Sequence, residues 1–145
     1  MPLYDADRLL KLVSQMRESA GHLRRLGGIS QDVFLADPDK IASAKYHFIV
    51  AIEAAIDMGN HLISRNGYRA PEDYADTFSV LAEASVIEKP FAEKLKDMAR
   101  FRNRLVHIYW EIDTPQVYAI MSERLGDFRE FIDALARFLG WANLV

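Results

Sequence analysis

Apolar residues recur at three- and four-residue intervals along most of this chain, and no segment alternates apolar with polar residues as a half-buried strand would. That period leaves helices as the building element and other helices as the surface each must cover. Leu9, Leu12, Val13, Met16, Ala20 and Leu23 share one face of a helix predicted over 4–26, and Gly27-Gly28 stop it. Residues 29–36 suggest at most a short turn. Asp37-Pro38 then starts a long second helix, a capping side chain followed by proline at the first helical position, which closes near Asn66 at Gly67. A loop follows to position 73, and the spacing predicts a third helix over 74–86. Pro90 opens a fourth that runs towards His107, with Phe91, Leu95, Met98, Phe101, Leu105 and Ile108 as its buried stripe. Thr114-Pro115 repeats the cap-plus-proline signal, and 117–139 reads as one last helix ended by Gly140. The connections are mostly short, so the expected fold is all-α, an antiparallel helical bundle of about five helices.

A chain of 145 residues with 50% hydrophobic content supports one core, so a single domain over 1–145 is expected. Cysteine is absent, which excludes disulfides, thiolate metal sites and a cysteine nucleophile. No basic start followed by an apolar run and no bilayer-length apolar stretch is visible, so the expectation is a cytoplasmic protein without a membrane partner. The net charge of -3 argues against coating nucleic acid through a general positive field. Local charge runs the other way. Between Glu88 and Arg104, Lys89, Lys94, Lys96, Arg100, Arg102 and Arg104 face only Glu88, Glu93 and Asp97.

That basic segment leads into Arg102-Asn103-Arg104-Leu105-Val106-His107-Ile108-Tyr109, which carries more chemistry than a packed helix needs. Asn103 and His107 are four apart and adjacent on a helix, whereas Arg102 is five from His107 and points to the side. The two meet only through the long arginine side chain, through fraying near His107, or across a dimer. A second cluster lies on the long helix, where Glu53, Asp57 and Asn60 line one face of an otherwise apolar segment. Buried carboxylates need partners, and the arginines of the fourth helix are the obvious ones; a plain solvent-facing side fits equally well. His22, His47 and His61 read as surface or packing histidines.

An arginine and a histidine without a metal cluster suit phosphodiester chemistry on RNA. Arginine grips the scissile phosphate and stabilises transition-state charge, while histidine moves a proton near neutrality. Neither role needs a metal or cofactor, and none is expected. Three other readings fit the same residues: a histidine satisfied at a helix C-terminus, a phosphoacceptor on a bundle, and a solvated basic face. The phosphoacceptor reading lacks the lysine and glycine usual after such a histidine, where this chain has Tyr109-Trp110-Glu111.

The Arg102-to-Tyr109 segment resembles the Arg-x4-His-x-Tyr motif of the HEPN superfamily, specifically the HepT-like toxins encoded beside a minimal nucleotidyltransferase (MNT) antitoxin. The likeness extends to Ile52–Ile63 and to Tyr74-Ala75-Asp76-Thr77-Phe78 with Leu81, which look like that family's second and third helices. The resemblance implies a homodimer formed through the motif-bearing fourth helix, with the cleft between subunits. It implies a metal-independent endoribonuclease in a toxin-antitoxin pair, with Arg102 and His107 carrying catalysis and Asn103 assisting. Tyr109 matches the position to which the nucleotidyltransferase attaches AMP, blocking RNA by charge and bulk. Glu53 and Asp57 would orient Arg102 or His107, and Arg100 and Arg104 would hold RNA. The alternative is a non-catalytic helical module that binds the nucleotidyltransferase, with the motif as its docking surface.

Overall fold

A computed structural model describes residues 1–142; the last three residues of the expected domain, 143–145, lie outside the described residues. Seven α-helices occur among the described residues: α1 (Ala6–Gly27), α2 (Gln31–Leu35), α3 (Pro38–Arg65), α4 (Tyr74–Glu83), α5 (Lys89–His107), α6 (Thr114–Glu123) and α7 (Gly126–Leu139). There is no strand among them, and no helix among them is long and apolar enough to cross a membrane.

Side-chain caps start α1, α3 and α4, whereas the cap expected of Thr114 does not form: Thr114 is the first residue of α6, and Asp113 before it makes no side-chain capping bond. Asp5 accepts the Arg8 amide at 3.2 Å, and Asp37 accepts the amides of Asp39 and Lys40. Asp73 closes on the Asp76 amide at 2.7 Å, starting α4.

The count of about five helices needs correction at two places. The short turn is the five-residue α2, and the expected last helix is two. At the break, Asp127 and Phe128 donate to the carbonyls three residues back, Arg124 and Leu125, in place of the four-back partners of an α-helix. Gly126 sits there, where a helix interior would cost about 1 kcal/mol relative to alanine. Arg124 stabilises the corner, donating to Asp127 at 3.0 Å and to the Lys94 carbonyl of α5 at 3.2 Å.

α3 is the axis of the bundle, packing against α1, α4 and α5. Leu3 and Asp5 donate their amides to Asn66 and His61, while His22 stacks on His47, so α1 and α3 run antiparallel. Against α5, Phe48 meets Phe101 edge-on at 5.2 Å and Glu53 pairs with Arg102. Phe48 and Phe101 are both buried, and such an aromatic pair adds about 0.5–1.5 kcal/mol beyond its area. Gly59 lets α4 approach: a Cβ there would stand 2.8 Å from Thr77 Cγ2 and 3.1 Å from Leu81 Cδ1. This close seat brings the start of α4, and Tyr74 with it, beside the motif.

Candidate active site

α5 owes its position to Phe91, Leu95, Met98, Phe101 and Leu105, which are buried along one face. Ile108 departs from the expected stripe and is exposed. The helix ends at His107, and Ile108 leaves helical geometry with φ -128° and ψ 41°. A single 3-10 turn over Tyr109–Glu111 follows, held by the Glu111 amide on the Ile108 carbonyl at 2.9 Å. The motif therefore spans a helix end. Its first half is helical and packed, and its second half faces outward.

Arg102 lies on the edge of α5 facing α3, with only 13% of its side chain exposed. Its Nε and Nη2 both donate to Glu53 Oε1, at 3.0 and 2.7 Å, and its Nη1 donates to Asn103 Oδ1 at 3.1 Å. The guanidinium also lies 4.8 Å from the centre of the Tyr74 ring. Since both bonds to Glu53 fall on one oxygen, the grip fixes the guanidinium without using all its donors, leaving N–H groups for a phosphate.

The three polar residues expected on one face of α3 take different partners. Glu53 turns to Arg102, while Asn60 accepts from Thr77 of α4 at 2.9 Å. Asp57 makes no hydrogen bond among the described residues, and it shares a cavity of about 440 Å³ with Glu53, Tyr46 and His47. Although Asp57 is exposed as a whole, partial loss of water pushes its carboxyl above the usual value. Arg8 opposes that shift, Glu53 adds to it, and Arg102 opposes it.

His107 is exposed in the last turn of α5 and makes no hydrogen bond among the described residues. Within one copy of the chain the structure brings together Arg102, Asn103, Glu53 and Tyr74, and leaves His107 free to meet a ligand. Arg100 and Arg104 point elsewhere, lining a cavity of about 270 Å³ with Gln116 and Arg124 of the α5–α6 side. Arg100 pairs with Asp97 at 3.1 Å, and Arg104 lies 5.5 Å from the centre of the Phe101 ring.

Sequence reasoning missed two neighbours. Tyr74 figures in the sequence only as a helix start and as part of the segment resembling the family's third helix, with no link to Arg102. Lys45, 7% exposed, donates to the Tyr109 carbonyl at 3.1 Å and lies 4.3 Å from the centre of its ring. Its signal was in the pattern, because Lys45, Phe48 and Ile52 fall at three-four spacing and put a lysine in an apolar stripe.

The sequence pattern of a family described as ribonuclease HepT-like matches residues 16–135, which takes in the whole site. The chain belongs to this HepT-like family. Among HepT-like relatives, it is 35% identical over 83 residues to an mRNA nuclease HepT of Shewanella oneidensis, covering 57% of this chain and 62% of that protein, under two thirds of its length. It is 25% identical over 120 residues to a tRNA nuclease HepT of Aphanizomenon flos-aquae, covering 81% and 80%. The solved structure of a tri-AMPylated HEPN toxin from Shewanella oneidensis, in complex with an MNT antitoxin, superposes with a TM-score of 0.84 at 26% identity, covering 90% of this chain and 98% of that one. The all-helical HEPN architecture is thereby established for this chain.

Proposed function

We propose that this chain is the toxin subunit of a toxin-antitoxin pair, a metal-independent endoribonuclease that cuts tRNA or mRNA in the cytoplasm. The observation that carries the reading is the Arg102 guanidinium, clamped by Glu53 and Asn103 with donors to spare, five residues before an exposed His107. Family membership and the nucleases among its relatives support it.

In this mechanism Arg102 holds the scissile phosphate and offsets the charge that builds on its oxygens. Asn103 keeps the guanidinium aimed, and Glu53 prevents it from turning away. His107 takes the proton from the ribose 2′-hydroxyl, or gives one to the departing 5′-oxygen, as that hydroxyl attacks phosphorus. Val106, Ile108 and Trp110 are exposed around His107, with Trp110 at 91%, and this apolar patch is the surface a second copy would cover. Homodimerisation there places two motifs in one cleft. Arg100 and Arg104, on the flank of α5, would take phosphates further along the strand.

Silencing fits the geometry of Tyr109. Its hydroxyl makes no hydrogen bond among the described residues, so an MNT-type nucleotidyltransferase partner can transfer AMP to it from ATP with release of pyrophosphate. The bulky, negatively charged group then blocks RNA two residues from His107. The test is to incubate the purified protein with tRNA and with bulk mRNA in chelator, beside a His107→Ala variant. Cleavage by the wild type alone supports the mechanism. An active His107→Ala protein, or an unmodified wild type inert on both RNAs, rules it out.

A further inference from the structure

Lys45 is a buried ammonium whose one hydrogen bond among the described residues is to a backbone carbonyl, that of Tyr109. No carboxylate lies within ion-pair distance of it among the described residues; the described ion pairs all involve other cations. An ammonium has several donors, and desolvating it without an anion is costly. The Tyr109 ring, 4.3 Å from Nζ at its centre, compensates in part through its electron-rich face. Burial holds the Lys45 ammonium below its usual lysine range, the sign expected of a cation short of a partner.

Why does the fold tolerate this? Lys45 lies two turns into α3, against the 3-10 turn that begins with Tyr109, and shares a helix face with the buried Phe48 and Ile52. The head group thus reaches the one residue of the motif that presents an unbonded hydroxyl. A group attached to that hydroxyl begins on the same ring that already carries the ammonium on its face.

We infer that Lys45 is the receiving cation for the phosphate of nucleotide-bearing Tyr109, a positioning residue that draws the attached nucleotide down over the Arg102/His107 cleft. The inference rests on the proposed modification of Tyr109. In the unmodified chain Lys45 braces the turn through the Tyr109 carbonyl. In the modified chain its remaining donors pair with the phosphodiester, completing the ion pair the bare protein lacks. The nucleotide is then held over the cleft rather than hanging free in solvent, and silencing becomes tight.

The experiment takes wild type, Lys45→Met and Lys45→Arg, each with and without treatment by the partner nucleotidyltransferase and ATP. Mass spectrometry establishes whether AMP sits on Tyr109. Thermal melting then reads the change that modification causes within each protein, so any general loss of stability from the substitution cancels. Wild type is expected to gain thermal stability on modification, Lys45→Arg to keep most of the gain, and Lys45→Met to lose it. Modified Lys45→Met should also recover RNA cleavage about tenfold above modified wild type, the factor one charge-assisted hydrogen bond carries. Should Lys45→Met fold poorly, the ³¹P resonance of modified wild type and of Lys45→Arg decides: a shift between the two supports contact. Identical ³¹P positions, or an equal melting gain in wild type and Lys45→Met with AMP confirmed on Tyr109, overturn the role of Lys45 and leave the modification standing. A wild type that takes no AMP on Tyr109 overturns the modification itself, and this inference with it.

Discussion

The two halves of the Arg102-to-Tyr109 segment are built in opposite ways. Arg102 and Asn103 belong to a packed helix, and the arginine is 13% exposed and held by Glu53, by Asn103 and by the Tyr74 ring. His107 is exposed at the point where that helix ends, and Tyr109 starts a 3-10 turn. A group that must stabilise charge works best when it is fixed before substrate arrives, because nothing then has to reorganise. A group that must exchange a proton, or accept a nucleotide from another protein, has to be reachable. On the proposed mechanism, the helix terminus divides the motif between these demands.

The sharpest way to break this contrast is to remove the reachable half. His107→Ala should lower RNA cleavage by about 100-fold or more, the contribution of a positioned acid-base group, with no change in melting temperature, because the residue is exposed and its side chain makes no hydrogen bond among the described residues. A matching loss of stability would mean that His107 is structural. Tyr109→Phe should leave cleavage near the wild-type level but make the protein immune to silencing by the nucleotidyltransferase, as followed by mass and by activity. If the Phe variant is still silenced by a covalent adduct, the acceptor lies elsewhere.

The fixed half should respond more mildly and in both readouts. Glu53→Gln keeps the shape of the clamp and removes its charge; cleavage should fall on the order of tenfold as the guanidinium loses its aim. Its stability cost should stay at about 1 kcal/mol or less, since Glu53 is 42% exposed and solvent screens the pair. Gly59→Ala tests the same half from behind. The new methyl would press on Thr77 and Leu81, push α4 and Tyr74 off the arginine, and cost about 1–3 kcal/mol in denaturant melts. An unchanged midpoint would show that the α3–α4 contact adapts freely.

The smallest effect concerns pH. The Asp57 carboxyl is raised in the fold, chiefly by loss of water, so the folded chain binds that proton more tightly than the unfolded chain does. Its contribution to stability is therefore full below the ordinary carboxylate range and is lost as pH rises through the raised value. Asp57→Asn should make the protein slightly more stable at neutral pH and leave it unchanged in acid. Melting curves at the two pH values check the sign, and a variant that is less stable at neutral pH would mean that Asp57 has a cationic partner it depends on.

Much of the architecture was legible because helix formation here is local. Apolar spacing, Asp37-Pro38 and the glycines at 27, 67 and 140 act within a few residues of themselves, and so α1, α3, α4 and α5 stand close to where their patterns put them. The pattern was blind to the break before α7, since Leu125 and Phe128 continue the apolar period across it while Gly126 and the Arg124 bonds end the hydrogen-bond ladder. Ile108 misled for a related reason. Periodicity assumes that the helix continues, and α5 stops one residue earlier.

The candidate site divides along the same line. The residues of the motif, their order and their likeness to the HepT-like family are properties of the chain read by itself, and so is the local excess of positive charge that precedes them. Tertiary structure alone decided that Arg102 takes Glu53 and not Asp57, that Asn60 turns to Thr77, and that Arg100 and Arg104 face α6. It also placed Lys45 beneath Tyr109, 64 residues away along the chain. Helical spacing places side chains on a face of one helix, but which face meets which neighbour depends on how several helices share one core, and that is settled only when all of them pack together.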